Sequence, residues 1–217
     1  VTDENAQCGV ENRWLALAKR LHALAASGLH FTKDVYDRER YEEISAISHQ
    51  MMADLAGVPV ERIVDLLSAG SRGYATPKID VRGALFRAGQ VLLVREKSDG
   101  LWTLPGGFAE VGRSGAENIK AEVQEEAGLD VEVTALYQIR HKAKGPNGDD
   151  IRDFYKIFFL CKDVNSLAIP APGPETTAAD FFNIDELPPL SLARVSPRDI
   201  FDAKDFLDGR RELALFD

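Results

Sequence analysis

Three glutamates, Glu122, Glu125 and Glu126, stand at a spacing of three and then one inside GGFAEVGRSGAENIKAEVQEEAGLD, residues 106–130. Wound into a helix they share one side, where like charges a turn apart repel by roughly 0.2–0.5 kcal/mol per pair. A hard divalent cation, which prefers oxygen ligands, would turn that repulsion into a binding site. The segment LPGG, residues 104–107, comes shortly before. Its glycines let backbone approach a phosphate closely beside a helix N-terminus, which favours negative charge. A cation on the carboxylates would draw a polyphosphate toward them, because bound metal inverts the local charge. Taken without its context, the same pattern describes a solvated acidic face.

The elements that must hold these residues are legible on either side. Ser114 followed by Glu117 forms a capping box, so a helix is predicted to start near Gly115. Gly128 is suited to end it in a left-handed conformation. Ala116, Ile119, Val123 and Ala127 give the helix an apolar stripe, and the three glutamates are expected on a different side from most of it. Before this helix, IDVRGALF and QVLLVRE are β-rich runs split by RAGQ, a hairpin signal, and LWTL is a short strand. After it, VEVTALYQIRHK and DFYKIFFLCK read as longer strands joined by the turn-rich AKGPNGDD. TTAADFFNI reads as a last strand. SPRDIFDAKDFLDG reads as a terminal helix capped by Ser196, with Pro197 at its first position.

The first seventy residues have a different period. Trp14, Leu15, Ala18, Leu21, Leu24 and Ala25 recur at helical intervals ahead of Gly28. Tyr41, Ile44, Ile47, Met51 and Leu55 do the same ahead of Gly57, and VERIVDLLSAG follows Pro59 as a third short helix. The glycines and proline of GSRGYATPK, residues 70–78, read as a linker. The expected organisation is a small all-helical domain, residues 1–73, followed by an α/β (α+β) domain with a mixed sheet flanked by helices, residues 74–217.

Composition narrows the function. The chain of 217 residues carries a formal net charge of −9, which argues against binding duplex nucleic acid through a basic face. Its longest apolar run is too short to span a bilayer, so no membrane partner is expected. The start, VTDENAQCGVENRW, is acidic and polar, unlike a secretory signal. Two cysteines, Cys8 and Cys161, show no metal-like spacing and suit a reducing compartment. A cytoplasmic protein is the expectation. His49 and His141 find no partner at metal spacing. Phe154 and Tyr155 could stack a base or simply pack within a strand.

The glutamate-rich stretch resembles the signature of the Nudix hydrolases, G-x5-E-x7-R-E-U-x-E-E-x-G-U, where U is a bulky apolar residue. Gly107, Glu122, Val123, Glu125, Glu126, Gly128 and Leu129 occupy the matching positions. Two positions depart: Arg113 stands for the first glutamate and Ala121 for the arginine, a residue that usually helps orient the carboxylates. Over nearly the whole chain, KIDVRGALF, LLVREKSDGLWTLPGGFAEVG, YKIFFLC, DFFNIDELPPLS and GLHFTKDVYDRERYEEI resemble the Nudix subgroup that includes bacterial CDP-choline pyrophosphatases.

The resemblance implies a Nudix-type sheet and water attack on the phosphoanhydride of a nucleoside diphosphate linked to another moiety. It implies Mg²⁺ or Mn²⁺ on Glu122, Glu125 and Glu126, with the Gly107 carbonyl as a further ligand. The general base is open between Glu125 or Glu126, acting through a metal-bound water, and Glu175 in PGPETTAADFF. Glu110, in the loop before the helix, contributes outer-shell charge or is simply solvated. Arg82 and Arg95 are candidate phosphate contacts, because guanidinium matches phosphate geometry; Arg95 could equally pair with Glu96. CDP-choline is the expected substrate, with ADP-ribose the alternative, for which Pro146 offers a weak clue. A catalytically inactive Nudix-fold nucleotide-binding or regulatory protein is a reading from another class, supported by Arg113 and Ala121. The helical segment implies a homodimer.

Overall fold

The computed structural model of the protein describes residues 11–68, 74–144 and 150–217. Cys8, the first glycines of the expected linker and Pro146 with most of its turn lie outside these residues. The chain divides into two compact units. One comprises residues 9–78 with 149–154, and the other is built chiefly from residues 79–148 and 155–217.

The first unit is helical: α1 (Arg13–Phe31), α2 (Val35–Ala56) and α3 (Val60–Ser68). Asn12 caps α1 by accepting from the Trp14 N–H, and Asp34 caps α2 by accepting from Tyr36 and Asp37. Gly57 ends α2 at φ 63°, a left-handed conformation that glycine adopts without penalty. Leu15, Ala18, Met52, Ala53 and Ile63 form the unit's core. The helical periodicity is borne out, but not every apolar position turns inward. Trp14, Leu24, Ile47 and Leu55 are exposed, together with Leu17, Phe31, Val35 and Tyr36.

The second unit holds one mixed sheet: β1 (Lys78–Arg87), β2 (Gln90–Glu96), β3 (Trp102–Thr103), β4 (Val131–His141), β5 (Phe154–Asp163), β6 (Thr176–Asn183) and β7 (Leu215–Phe216). The strand order is β3-β2-β1-β5-β4-β7, with β6 paired antiparallel to β2. The β1–β2 hairpin turns on Ala88 and Gly89, both at positive φ, as a tight two-residue connection requires. TTAADFFNI is not the last strand. The two residues of β7 add to β4 in parallel, too few to carry a periodic signal.

Two helices cover the sheet, α4 (Gly115–Ala127) and α5 (Pro197–Leu207). Ile119, Val123 and Ala127 of α4 pack on Val81, Leu85, Leu92 and Val94. Ile200 and Ala203 of α5 pack with Ala84, Val91, Leu93, Phe158 and Leu160 on the other face. The alternation of β1 and β2 between these clusters is the period-two consequence of strand geometry. No helix among the described residues is long and apolar enough to cross a membrane.

Candidate active site

The helix α4 is fixed at both ends before any carboxylate is considered. Ser114 and Glu117 form the reciprocal capping box, and Gly128 closes the C-terminus at φ 65°. Ile119 and Val123 are fully buried, worth about 1.5–3 kcal/mol each. That anchorage exceeds the few tenths lost to like-charge crowding, so the helix holds without help from its acids. Buried Asn118 ties down the preceding loop: its Oδ1 accepts from Glu110 N–H, and its Nδ2 donates to the Arg113 and Ser114 carbonyls.

Across from the helix, the LPGG loop is pinned to β1. Val81 N–H donates to the Gly107 carbonyl at 2.8 Å and Gly83 N–H to Pro105 at 2.9 Å. Gly106 sits at φ 143°, and a Cβ there would lie 2.0 Å from the Val81 carbonyl, so only glycine fits. From this position Gly106 N–H donates to Glu126 Oε2 at 2.8 Å. Glu126 is therefore not on an outer acidic side. It is 5% exposed and adjoins the apolar stripe, turned beneath the glycine loop. Glu122 is half-buried and lies against Gly107, where a Cβ would come within 2.7 Å of Glu122 Oε1. Glu125 is exposed.

The loop before β6 brings the fourth acid. Thr176 Oγ1 donates to the Glu126 carbonyl at 2.9 Å and Ala171 N–H to the Ala127 carbonyl at 2.9 Å, satisfying the end of α4. Gly173 passes so close that a Cβ would fall 1.6 Å from the Glu125 carbonyl. This approach sets Glu175 near enough for its charge to act on Glu122.

Burial and the neighbouring acids raise two of these carboxyls. Burial, with the fields of Glu125 and Glu175, pushes the Glu122 carboxyl up to about 7 against the pull of Arg82. Burial pushes Glu126 up to about 8; the Gly106 N–H and Arg82 oppose the rise, while Glu122 and Glu96 add to it. Glu96, at the end of β2, is a member of this field that sequence reasoning missed. The available signal was its place as the one acid of β2, closing the strand after the apolar run 91–94. It pairs with Arg194 at 3.2 Å.

The Gly107 carbonyl accepts from the Val81 N–H, which leaves it a second lone pair, and Gly107 lacks the side chain that would meet Glu122. The two candidate arginines lie otherwise than expected. Arg95 is not brought to the carboxylates: it is exposed, shares a face with Trp102, and donates Nε–H to the Gly100 carbonyl at 2.7 Å. Arg82 does not reach outward. It is 4% exposed and spends its guanidinium on Asp80, at 3.0 and 2.9 Å, and on the Leu104 carbonyl at 3.2 Å. Arg113 pairs with Glu110 at the surface, 2.9 Å apart. His49 meets His22 rather than a metal set.

The donor set of Glu122, Glu125 and Glu126 is all oxygen, beside a cradle that a Cβ at Gly107 would fill; its chemistry fits a hard divalent cation. The acids are gathered but not closed: among the described residues no three acidic, histidine or cysteine side chains converge tightly enough to enclose an ion.

The site thus lies where a glycine loop beside β1 holds one carboxylate of a sheet-covering helix. Comparison with known proteins defines it further. Residues 76–203 match the NUDIX domain model, and residues 12–67 match a model described as "UDP-X-like, N-terminal oligomerisation domain". The chain is similar to the "Putative ADP-ribose pyrophosphatase YjhB" of Bacillus subtilis, 46% identical over 96% of this chain and 99% of that one. A crystal structure of UDP-X diphosphatase covers 94% of this chain and 97% of its own at 31% identity, with a TM-score of 0.59. An ADP-ribose pyrophosphatase structure from Streptococcus suis covers 65% of this chain and 100% of its own at 39% identity, with a TM-score of 0.56. The chain belongs to the Nudix hydrolase family. It is a pyrophosphohydrolase of nucleoside diphosphate-linked substrates, a family that generally uses divalent metals.

Proposed function

We propose that this enzyme hydrolyses ADP-ribose to AMP and ribose 5-phosphate, with Mg²⁺ or Mn²⁺ held by Glu122, Glu125 and Glu126. The observation that carries the metal site is Glu126: a buried carboxylate, fixed by one backbone N–H, set among acids and, among the described residues, in no ion pair. A divalent cation there neutralises phosphate charge and lowers the pKa of water. The Gly106–Gly107 backbone keeps the approach open for the diphosphate. Glu175 takes the proton from the attacking water as the P–O bond of the anhydride breaks. Its carboxylate is exposed and free of any hydrogen bond or ion pair among the described residues, unlike that of Glu126.

The choice of ADP-ribose over the CDP-choline expected from the subgroup resemblance is supported by the Bacillus subtilis relative of matching length. Incubation with either metal and a panel of ADP-ribose, CDP-choline and UDP conjugates, followed by product identification, tests it. AMP and ribose 5-phosphate should dominate; CMP with phosphocholine, or UMP, as the faster product would reassign the substrate. No product from any conjugate would favour the regulatory reading. Glu175→Gln should slow turnover by about 10²-fold or more while Mn²⁺ affinity holds. An unchanged rate would move the base to Glu125 or Glu126.

In the same reading the helical unit pairs with a second copy. The family description and the exposed Trp14, Leu24, Phe31 and Ile47 support a homodimer. Light scattering giving a monomer at micromolar concentration would remove it. The cytoplasm is the compartment assigned, supported by the buried free thiol of Cys161.

A further inference from the structure

Behind the glutamates lies a charge cluster that the hydrolytic reading does not use. Asp80, Arg82 and Lys156 are 5%, 4% and 1% exposed, and both cations converge on the one carboxylate, with Lys156 Nζ 3.1 Å from Asp80 Oδ1. Buried charge is costly unless compensated, and Asp80 meets both cations. Burial pushes Lys156 down to about 8, with Asp80 opposing, whereas Asp80 keeps Arg82 above its ordinary value despite burial. Besides Asp80, its charge acts on Glu122 and Glu126.

The connection is also mechanical. Arg82 Nη1 donates to the Leu104 carbonyl, and two residues on, Gly106 N–H holds Glu126. Gly106 itself rests on Arg82, its position for a Cβ only 2.9 Å from Arg82 Cα. Arg82 makes no direct ion pair with the glutamates among the described residues, so it acts through the loop. On α4 the position usually filled by arginine is Ala121, which brings no charge.

We infer that Arg82, locked by Asp80 and Lys156, is the positioning residue that sets the LPGG loop and thereby the Glu126 carboxylate for cation binding, in place of an arginine on α4. This rests on the divalent-cation site proposed above. A residue that serves only stability would lower the melting temperature and leave the folded protein's metal affinity alone. A positioning residue must change the affinity itself.

The experiment titrates Mn²⁺ into the full-length wild type, Arg82→Gln, Arg82→Lys and Ala121→Arg, and measures kcat and KM for each. Arg82→Gln should weaken Mn²⁺ binding and lower kcat by about 10–100-fold, as loss of a partner behind a metal ligand does. KM should change little, and Arg82→Lys, which keeps the charge, should recover part of the loss. Folded Arg82→Gln that binds Mn²⁺ like the wild type would overturn the inference. If Arg82→Gln does not fold, Ala121→Arg in the otherwise wild-type chain decides. A gain in Mn²⁺ affinity or kcat of about tenfold or more means that the helix position was a real vacancy and overturns the inference; a smaller change supports it. Wild type that binds no Mn²⁺ would end the metal-site reading itself, and this inference with it.

Discussion

The two helices that cover the sheet start alike and treat their acids differently. Each opens with a serine capping box, Ser114 with Glu117 on α4 and Ser196 with Asp199 on α5, and each buries acids against the sheet. On α5 the buried acids meet arginines: Asp199 lies 3.3 Å from Arg140, and Asp202 lies 3.0 Å from Arg198. On α4, Glu122, Glu125 and Glu126 have no ion pair among the described residues, and the cation nearest to their purpose, Arg82, is occupied by Asp80. The α4 acids, with Glu126 buried, Glu122 half-buried and Glu125 exposed, are the ones the proposed cation would meet, whereas those of α5 are tied to the fold by arginines.

The largest expected effect follows from removing one charge on the unpaired side. Glu126→Gln keeps size and hydrogen-bonding capacity but should slow turnover by about 10²–10³-fold, the equivalent of roughly 3–4 kcal/mol of transition-state stabilisation. The metal-free melting temperature should stay level or rise, because like-charge crowding is relieved. Normal turnover would make α4 a solvated acidic face after all.

The matching change on α5 should do the reverse. Asp199→Asn removes one of the two acids that Arg140 meets and weakens the cap that accepts from Ser196, so it should cost about 3 kcal/mol of stability, near 6–12 °C in melting temperature. The folded fraction should keep its kcat. Thermal melts and kinetics on one preparation check both halves, and a catalytic loss without destabilisation would erase the contrast between the helices.

A smaller effect concerns pH. Glu122 near 7 and Glu126 near 8 lie above the ordinary value of 4.5. Acids whose values are raised in the folded state contribute stability that is whole below that ordinary value and is lost as pH rises through 7 and 8. The metal-free protein should therefore lose roughly a few degrees of melting temperature between pH 5.5 and 8.5, with Mn²⁺ reversing the loss at the upper end. Glu126→Gln should flatten the profile. A wild-type profile as flat as that of the variant would contradict the origin assigned to the shift.

The parts of this site that were legible from sequence are those set by local chemistry. The Ser114 cap, the Gly128 stop and the hairpin at 87–90 depend on residues a few positions apart. The inward turn of Glu126 was also within reach, since it lies three residues from Val123 and next to Ala127. Reading the three glutamates as one face away from the stripe hid it. What could not be read depends on chain segments far apart. Lys156 reaches Asp80 across 76 positions, Asp163 reaches Arg87 across another 76, and neither pairing leaves a periodic trace. Guanidinium chemistry, with the place of Arg82 on the first strand, points to Arg82 and Arg95 as phosphate contacts but does not say where either side chain turns. Strand alternation turns Arg95 onto the Trp102 face, and burial commits Arg82 to its own carboxylate. In the helical unit, periodicity identified apolar positions but could not say which would stay uncovered, as Trp14 and Ile47 do.

The claim that α4 keeps its acids for a cation is tested most directly by Mn²⁺ titration of three proteins at pH 8: wild type, Glu126→Gln and, as the control from the other helix, Asp199→Asn. The wild type and the folded Asp199→Asn variant should bind with the same affinity, and Glu126→Gln should bind at least about tenfold more weakly. Equal affinity in Glu126→Gln and the wild type would contradict the account.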